Sequence, residues 1–273
     1  MRISRVGIVV KPRSDQASEA ARGITAFLQQ KGIETSPFAI PAKGAGSEDA
    51  KADLLVVIGG DGTVMRTAEH SGDVPILGVK IGALGFLCET TPDRANASLN
   101  KILAGEYFLE HKSKLKVRYG KKALPDALNE ALVCTSRPSK VMSLMVVKDG
   151  EPLHRGRADG VIVSTTTGST AYALSAGGPI IDSQLDIMEI VFMCPLAAGL
   201  KPLILPSSSK VEITILPDDS TGILVIDGQL AIDIDYGKPV TVERSDRSAV
   251  FVRVGRPDFY RRVREKLKTG LEV

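Results

Sequence analysis

Apolar residues in the first hundred positions come as short unbroken runs separated by longer amphipathic stretches. Residues 6–10, 53–58 and 76–80 are such runs and read as strands buried on both faces. Residues 18–31 place Ala21, Ile24, Ala26, Phe27 and Leu28 at helical spacing and stop before Gly32, and 63–70 and 94–103 repeat the pattern. Alternation of this kind predicts a parallel sheet with helices on its faces. From about residue 112 the period falls to two: 114–119, 131–135, 142–148, 161–164, 211–216, 222–226, 230–235, 239–243 and 249–254 read as strands. Residues 258–268 turn helical again, with Val263 and Leu267 one turn apart. The pattern therefore predicts an α/β domain with a parallel sheet over 1–108 and a β-rich, sandwich-like domain over 109–254. A helical tail over 255–273 is expected to pack back on the first domain.

Composition narrows the partners more than the fold. The chain has 273 residues, 43% hydrophobic and 25% charged, as an ordinary globular protein does. A net charge of +3 does not single out a nucleic-acid partner, which needs cations gathered on one face. Lys112, Lys114, Lys116 and Arg118 do alternate along one strand. They read as a solvated face that discourages edge pairing, with an anion channel as the alternative. Seven Phe, five Tyr and no Trp leave the core to aliphatic side chains. Cys88, Cys134 and Cys194 are scattered and form neither a zinc spacing nor a disulfide framework, which fits a reducing compartment. The first apolar run ends at Lys11-Pro12, too short for a signal peptide. The longest, 190–200, contains Pro195 and falls short of the roughly 20 residues of a membrane span. A cytoplasmic protein without a membrane partner is expected.

The candidate chemistry begins where the strand 54–58 runs into Gly59-Gly60-Asp61-Gly62-Thr63. Three glycines in four positions let a ligand approach the backbone closely. The helix that follows presents unpaired N–H groups, an anion site at the carboxyl end of a strand. The pattern is neither the Walker loop nor the dinucleotide glycine fingerprint. The plain alternative is a tight turn with Asp61 as helix N-cap.

A second concentration of polar groups lies in the β-rich half. Six of the seven residues 164–170 carry hydroxyls. Ser169 or Thr170 is positioned to cap a short helix that Gly177-Gly178-Pro179 ends. Tyr172 on that helix either stacks on a base or packs in the core. Asn129-Glu130 stands at a strand start, where adjacent residues face opposite sides, so one of the two points inward and needs partners. Asp227-Gly228 reads first as a type I′ hairpin turn.

These blocks carry a resemblance. Gly-Gly-Asp-Gly-Thr/Ser after a strand is shared by NAD kinases, diacylglycerol and sphingosine kinases and 6-phosphofructokinases, which all move a phosphoryl group to a hydroxyl. The stretch from Arg157-Ala-Asp159-Gly160 through Gly168-Ser-Thr-Ala-Tyr172 to Gly177-Gly-Pro179 resembles the long signature of NAD kinases. Asn129-Glu130, the block from Gly78 to Leu87, and Asp227-Gly-Gln229 follow the same family's order. The resemblance implies a kinase that phosphorylates the adenosine 2′-hydroxyl of NAD to give NADP, with Asp61 as general base. It implies ATP or another triphosphate, or polyphosphate, as donor, with Mg²⁺ or another divalent ion on the donor phosphates. The donor would be held by Gly59, Gly60, Gly62, Thr63 and Arg66. The dinucleotide would be held by Asn129, Glu130, Lys140, Arg157, Asp159, Thr170, Ala171, Tyr172, Ser175 and Gln229. A homodimer or homotetramer is also implied. Departures stand at Lys80, where many members carry Asn, and at Leu196 and Lys201, where many carry His and Arg. Two alternatives stay open: a lipid kinase of the diacylglycerol kinase group, and a non-catalytic nucleotide sensor.

Overall fold

The computed structural model describes residues 2–40, 51–82, 85–137, 139–217, 221–255 and 259–269. In chain order the elements are β1 (Arg5–Val10), α1 (Asp15–Gln30), β2 (Glu34–Pro37), β3 (Leu54–Gly59), α2 (Asp61–His70), β4 (Ile76–Lys80), α3 (Pro92–Leu103) and β5 (Phe108–Tyr119). Then follow β6 (Lys122–Ala123), β7 (Glu130–Thr135), β8 (Met142–Lys148), β9 (Glu151–Ala158), β10 (Gly160–Thr165), a 3₁₀ turn (Gly168–Thr170) and α4 (Tyr172–Ser175). The chain continues through β11 (Ile187–Met193), β12 (Leu203–Pro206), β13 (Val211–Ile215), β14 (Gly222–Ile226), β15 (Leu230–Ile234), β16 (Val240–Arg253) and α5 (Phe259–Thr269).

Two compact units result: 1–112 with 249–273, and 113–248. They differ from the 108 and 254 limits read from the sequence because β5 and β16 each run from one unit into the other. The stretches 239–243 and 249–254 are one 14-residue strand. The polar middle of β16 resembles a turn in the sequence, but Ser245 Oγ lies 2.5 Å from Asp126 Oδ2 and Arg247 Nε donates to the same oxygen at 3.0 Å. Partnered in this way, polar residues stay in the strand.

In the first unit the strands lie in the order β2-β1-β3-β4-β16, each neighbouring pair parallel. Val6, Ile8, Leu54, Val56, Ile58, Leu77 and Val79 bury one face with Ile24 and Leu28 of α1 and Leu99 and Ile102 of α3. Each such side chain contributes about 1.5–3 kcal/mol by leaving water. Ser14 caps α1 by accepting from Ala17 N–H at 3.3 Å. The chain leaves β1 to one side for β2 and returns on the other for β3, so the order reverses between β1 and β3. Ligands of open α/β sheets bind at the carboxyl ends of strands at such a reversal.

The second unit is a sandwich. One sheet contains β5, β6, the first part of β16, β13, β8 and β9; the other runs β12-β11-β10-β7-β14-β15, all antiparallel. Met142, Leu144, Val146, Val211 and Ile213 of the first meet Val133, Val161, Val163, Ile190, Leu224 and Ile226 of the second. The cation stripe on β5 departs from its expected solvated face. Lys112 and Lys114 are only 7% and 6% exposed, Lys116 is half-buried and Arg118 alone is exposed. Lys112 Nζ lies 2.7 Å from Glu110 Oε1, and burial lowers its pKa.

Candidate functional site

The glycine loop in the first unit holds one carboxylate by one oxygen. Gly59 ends β3, Gly60 is the N-cap of α2 and Asp61 is the first helical residue. Asp61 is therefore not the cap, because its carboxylate turns away from its own helix. Phe86 N–H donates to Asp61 Oδ2 at 2.8 Å, whereas Oδ1 is buried without a hydrogen-bond partner among the described residues. A Cβ on Gly85 would stand 2.0 Å from Oδ1, so only glycine lets the backbone lie against the acid. A Cβ on Gly59 would come within 2.7 Å of Thr63 Oγ1, so that glycine is also set by close approach. Thr63 N–H already donates to Gly60 O at 2.9 Å, while the N–H groups of Asp61 and Gly62 open the helix with no carbonyl one turn back, which suits an anion. Thr63 is buried, and Arg66, one turn on, is half-buried with no ion pair among the described residues.

Two neighbours complete this environment. Lys80, the last residue of β4, pairs in register with Gly59, and its Nζ stands 3.6 Å from Asp61 Oδ1. Cys88 packs beneath the loop; burial first, and then the nearby Asp61 charge, push its thiol up to about 12, so it stays protonated. On the far side of the segment 85–88, Arg262 of α5 donates to the carbonyls of Phe86 at 2.9 Å and Cys88 at 2.6 Å. The residue whose N–H holds Asp61 is thus itself held from behind.

The polar face of the second unit lies on the side of the β7-β10-β11 sheet away from the sandwich core. Side chains alternate along a strand. Because Ala131, Val163 and Ile190 fill the core, Glu130, Ser164 and Glu189 share the opposite face, and Ser164 is the register partner of both acids. Glu130 Oε2 and both Glu189 oxygens are buried without hydrogen-bond partners among the described residues. Burial, with the charges of Asp227 and Glu189, pushes Glu130 up to about 8; burial pushes Glu189 up to about 7. The hydroxyl of Ser164 offers little relief because it donates to carbonyls, 3.2 Å to Asn129 and 3.0 Å to Thr165.

Asp227 contributes more than a turn. Positive φ at Asp227 (52°) and Gly228 (64°) fits the type I′ geometry. The carboxylate also accepts from the N–H groups of Leu128 at 2.8 Å, Asn129 at 2.8 Å and Glu130 at 3.1 Å. The hairpin tip clamps the start of β7. No local pattern in the sequence announces a contact spanning almost a hundred residues.

The hydroxyl run departs from expectation. Ala171, not Ser169 or Thr170, is the N-cap of α4, and no side chain caps it. Ser169 Oγ donates to Thr166 O at 2.9 Å and Thr170 Oγ1 to Thr167 O at 3.2 Å, as hydroxyls in a tight turn do. Thr165 Oγ1 donates to Leu128 O at 2.7 Å and accepts from Thr167 and Gly168 N–H, so it builds the loop. Tyr172 is 45% exposed and so is not a core residue, and Ser175 is exposed beside it. Asp159 joins β9 to β10, with its N–H on Met193 O at 2.9 Å, and its carboxylate raises the pKa of the Cys194 thiol. Arg157 is exposed. Gln229 closes the hairpin turn before β15, half-buried, and Lys140 is exposed in a loop. Of the departures, Leu196 and Lys201 are exposed, and Lys80 alone sits at the glycine loop.

Comparison with known proteins decides between the kinases that share the loop. Residues 42–107 match the ATP-NAD kinase N-terminal domain, and 128–254 the ATP-NAD kinase C-terminal domain. The NAD kinase of Methanothermobacter thermautotrophicus is 38% identical over 276 residues, covering 97% of each chain. The chain belongs to the NAD kinase family. Its activity is accordingly that of a phosphotransferase acting on NAD. A second NAD kinase, from Thermococcus sibiricus, is 38% identical over 91% of this chain and 94% of its own. Among solved structures, an NAD kinase from Archaeoglobus fulgidus in complex with ATP has a TM-score of 0.82 at 28% identity, covering 96% of this chain and 99% of that one. Yeast NADH kinase complexed with NADH has a TM-score of 0.86 at 26% identity, covering 98% and 88%. Both NAD kinase domain matches include the polar sites described above, the glycine loop in one and the Glu130 face in the other.

Proposed function

We propose that Asp61 is the general base that accepts the proton of the adenosine 2′-hydroxyl of NAD while the γ-phosphoryl of ATP moves to that oxygen, giving NADP. The observation that carries this reading is the asymmetry of the carboxylate: Oδ2 is fixed by Phe86 N–H and Oδ1 has its hydrogen-bonding capacity unspent. The loop and first turn of α2, with Gly59, Gly60, Gly62 and Thr63, take the donor phosphates, the open N–H groups at the start of the helix facing them, and Arg66 stands one turn further on. A loose phosphoryl transition state asks for position and charge more than for basicity, so one well-held carboxylate suffices. The ATP bound by the Archaeoglobus fulgidus relative supports ATP as donor here.

In the second unit, Asn129 and Glu130, fixed by Asp227, hold the adenosine part with Thr170, Ala171 and the exposed ring of Tyr172. Asp159 contacts the nicotinamide end, and Lys140, Arg157, Ser175 and Gln229 are weaker contacts. Among the described residues no cluster of three or more His, Cys, Asp or Glu is arranged to hold a metal. The unspent oxygen of Asp61 already faces an ammonium group. Magnesium, or another divalent ion, therefore fits as part of the donor, neutralising phosphate charge. We also propose a cytoplasmic homo-oligomer, a dimer or tetramer, which sedimentation of the purified chain measures directly.

Asp61→Asn preserves shape and the Phe86 contact. It is expected to lower kcat by about 10²–10⁴, the usual worth of a positioned base, with an unchanged melting temperature. Turnover near that of the wild type would remove Asp61 from the chemistry.

A further inference from the structure

We propose that Lys80 is the donor-phosphate anchor of this chain: in the ligand-free protein it covers Asp61, and the incoming polyphosphate draws it away and uncovers the acid. The inference deepens the proposed function and rests on the reading of the glycine loop as the donor site.

Four observations in the first unit carry it. First, Lys80 Nζ stands 3.6 Å from Asp61 Oδ1, close enough for an ion pair and too far for a good hydrogen bond, whose N···O distance is about 2.7–3.2 Å. An attraction made only of charge yields to a competitor of higher charge. Second, Oδ1 lies against this ammonium and the backbone of Gly85, buried and without a hydrogen-bond partner among the described residues, so Lys80 stands beside the oxygen that the acceptor hydroxyl must reach. Third, the same Nζ lies 3.7 Å from where a Cβ on Gly60 would stand, directly over the glycine loop with no side chain between. Fourth, the backbone of Lys80 is fixed. Its N–H donates to Thr90 O at 2.8 Å, and β4 pairs with β3 up to Gly59. Only the side chain is free to swing.

That side chain has room. Lys80 is 12% exposed and lines a groove of about 570 Å³ with Gln16, Glu19, Gly82, Thr91 and Asp93. A triphosphate on the amides of α2 brings several negative charges within reach of the ammonium, and a lysine binds phosphate as a point charge. When it does, Asp61 loses its cover and Oδ1 becomes able to accept the hydrogen bond of the acceptor hydroxyl.

The test separates binding from turnover. Calorimetric titration of the full-length chain with ATP and with tripolyphosphate, without NAD, is compared for the wild type, Lys80→Met, Lys80→Asn and Asp61→Asn. Both Lys80 variants are expected to bind the two ligands about 10–100-fold more weakly, the worth of one charged contact. In turnover they raise the donor KM and leave the NAD KM unchanged, and unchanged NAD binding confirms that they are folded. Asp61→Asn removes the competitor for the ammonium, so it binds tripolyphosphate as well as or better than the wild type. Lys80 variants with wild-type tripolyphosphate affinity would overturn the anchor, and weaker binding by Asp61→Asn would overturn the competition. Neither result bears on Asp61 as base, which the kcat of Asp61→Asn judges separately.

Discussion

Glu130 and Glu189 face the same buried space with almost no hydrogen-bond donors to share. A carboxyl group whose pKa is raised by burial holds a proton in the folded chain that the unfolded chain would release. The stability from that proton is fully present below the ordinary value of about 4.5 and is lost as pH rises through about 7 and 8, the values to which Glu189 and Glu130 are pushed. The melting temperature of the second unit should therefore fall between pH 6 and pH 9. Glu189→Gln cannot ionise and relieves its neighbour. We expect it to raise the melting temperature at pH 9 by about 4–8 °C, the effect of 1–2 kcal/mol on a domain of this size, and to change little at pH 5. An equal gain at both values would show that packing, not ionisation, sets the cost.

Among the elements, the β14–β15 hairpin is informative because its tip does two things. Asp227 adopts the positive φ of the turn and also collects three N–H groups at the start of β7. Asp227→Ala strands those donors and strains the turn. It is expected to cost about 3 kcal/mol of stability and to raise the NAD KM while leaving the donor KM alone; thermal melts and initial rates check both. The turn itself is legible in Asp-Gly, as the strand, glycine loop and helix around Asp61 are, because these depend on neighbours in sequence. Other elements are not legible. β9 is an edge strand whose residues are mostly exposed or half-buried, so it lacks an apolar period. β11 reads as part of a long apolar run. The hydroxyls of residues 164–170 give no sign in the sequence of the carbonyls to which Thr165, Ser169 and Thr170 donate. What the sequence left unmarked at the candidate site is the set of long-range contacts: Phe86 on Asp61, Arg262 on Phe86, and Asp227 under Glu130.

For the whole molecule, the two periodicities of the sequence correspond to two units, but the chain does not visit them in turn. Residues 249–273 return to the first unit through β16 and close it with α5. There Arg253 bonds Glu110 at 2.7 Å, and Arg262 reaches Glu89 as well as the two carbonyls beside the glycine loop. Arg262→Ala leaves those carbonyls without their charged donor and loosens the segment that aims Asp61. We expect kcat to fall about tenfold, as 1.4 kcal/mol of lost positioning implies, with NAD binding unchanged. Lost NAD affinity with intact turnover would contradict this.

Arg262 also ties the glycine loop to a part of the chain made long after it. A ribosome making this polypeptide releases the acid and its glycines early, yet the guanidinium that braces them is built some two hundred codons later. A fragment cut before α5 would keep the glycine loop and lose that brace, and it is expected to turn over no faster than Arg262→Ala.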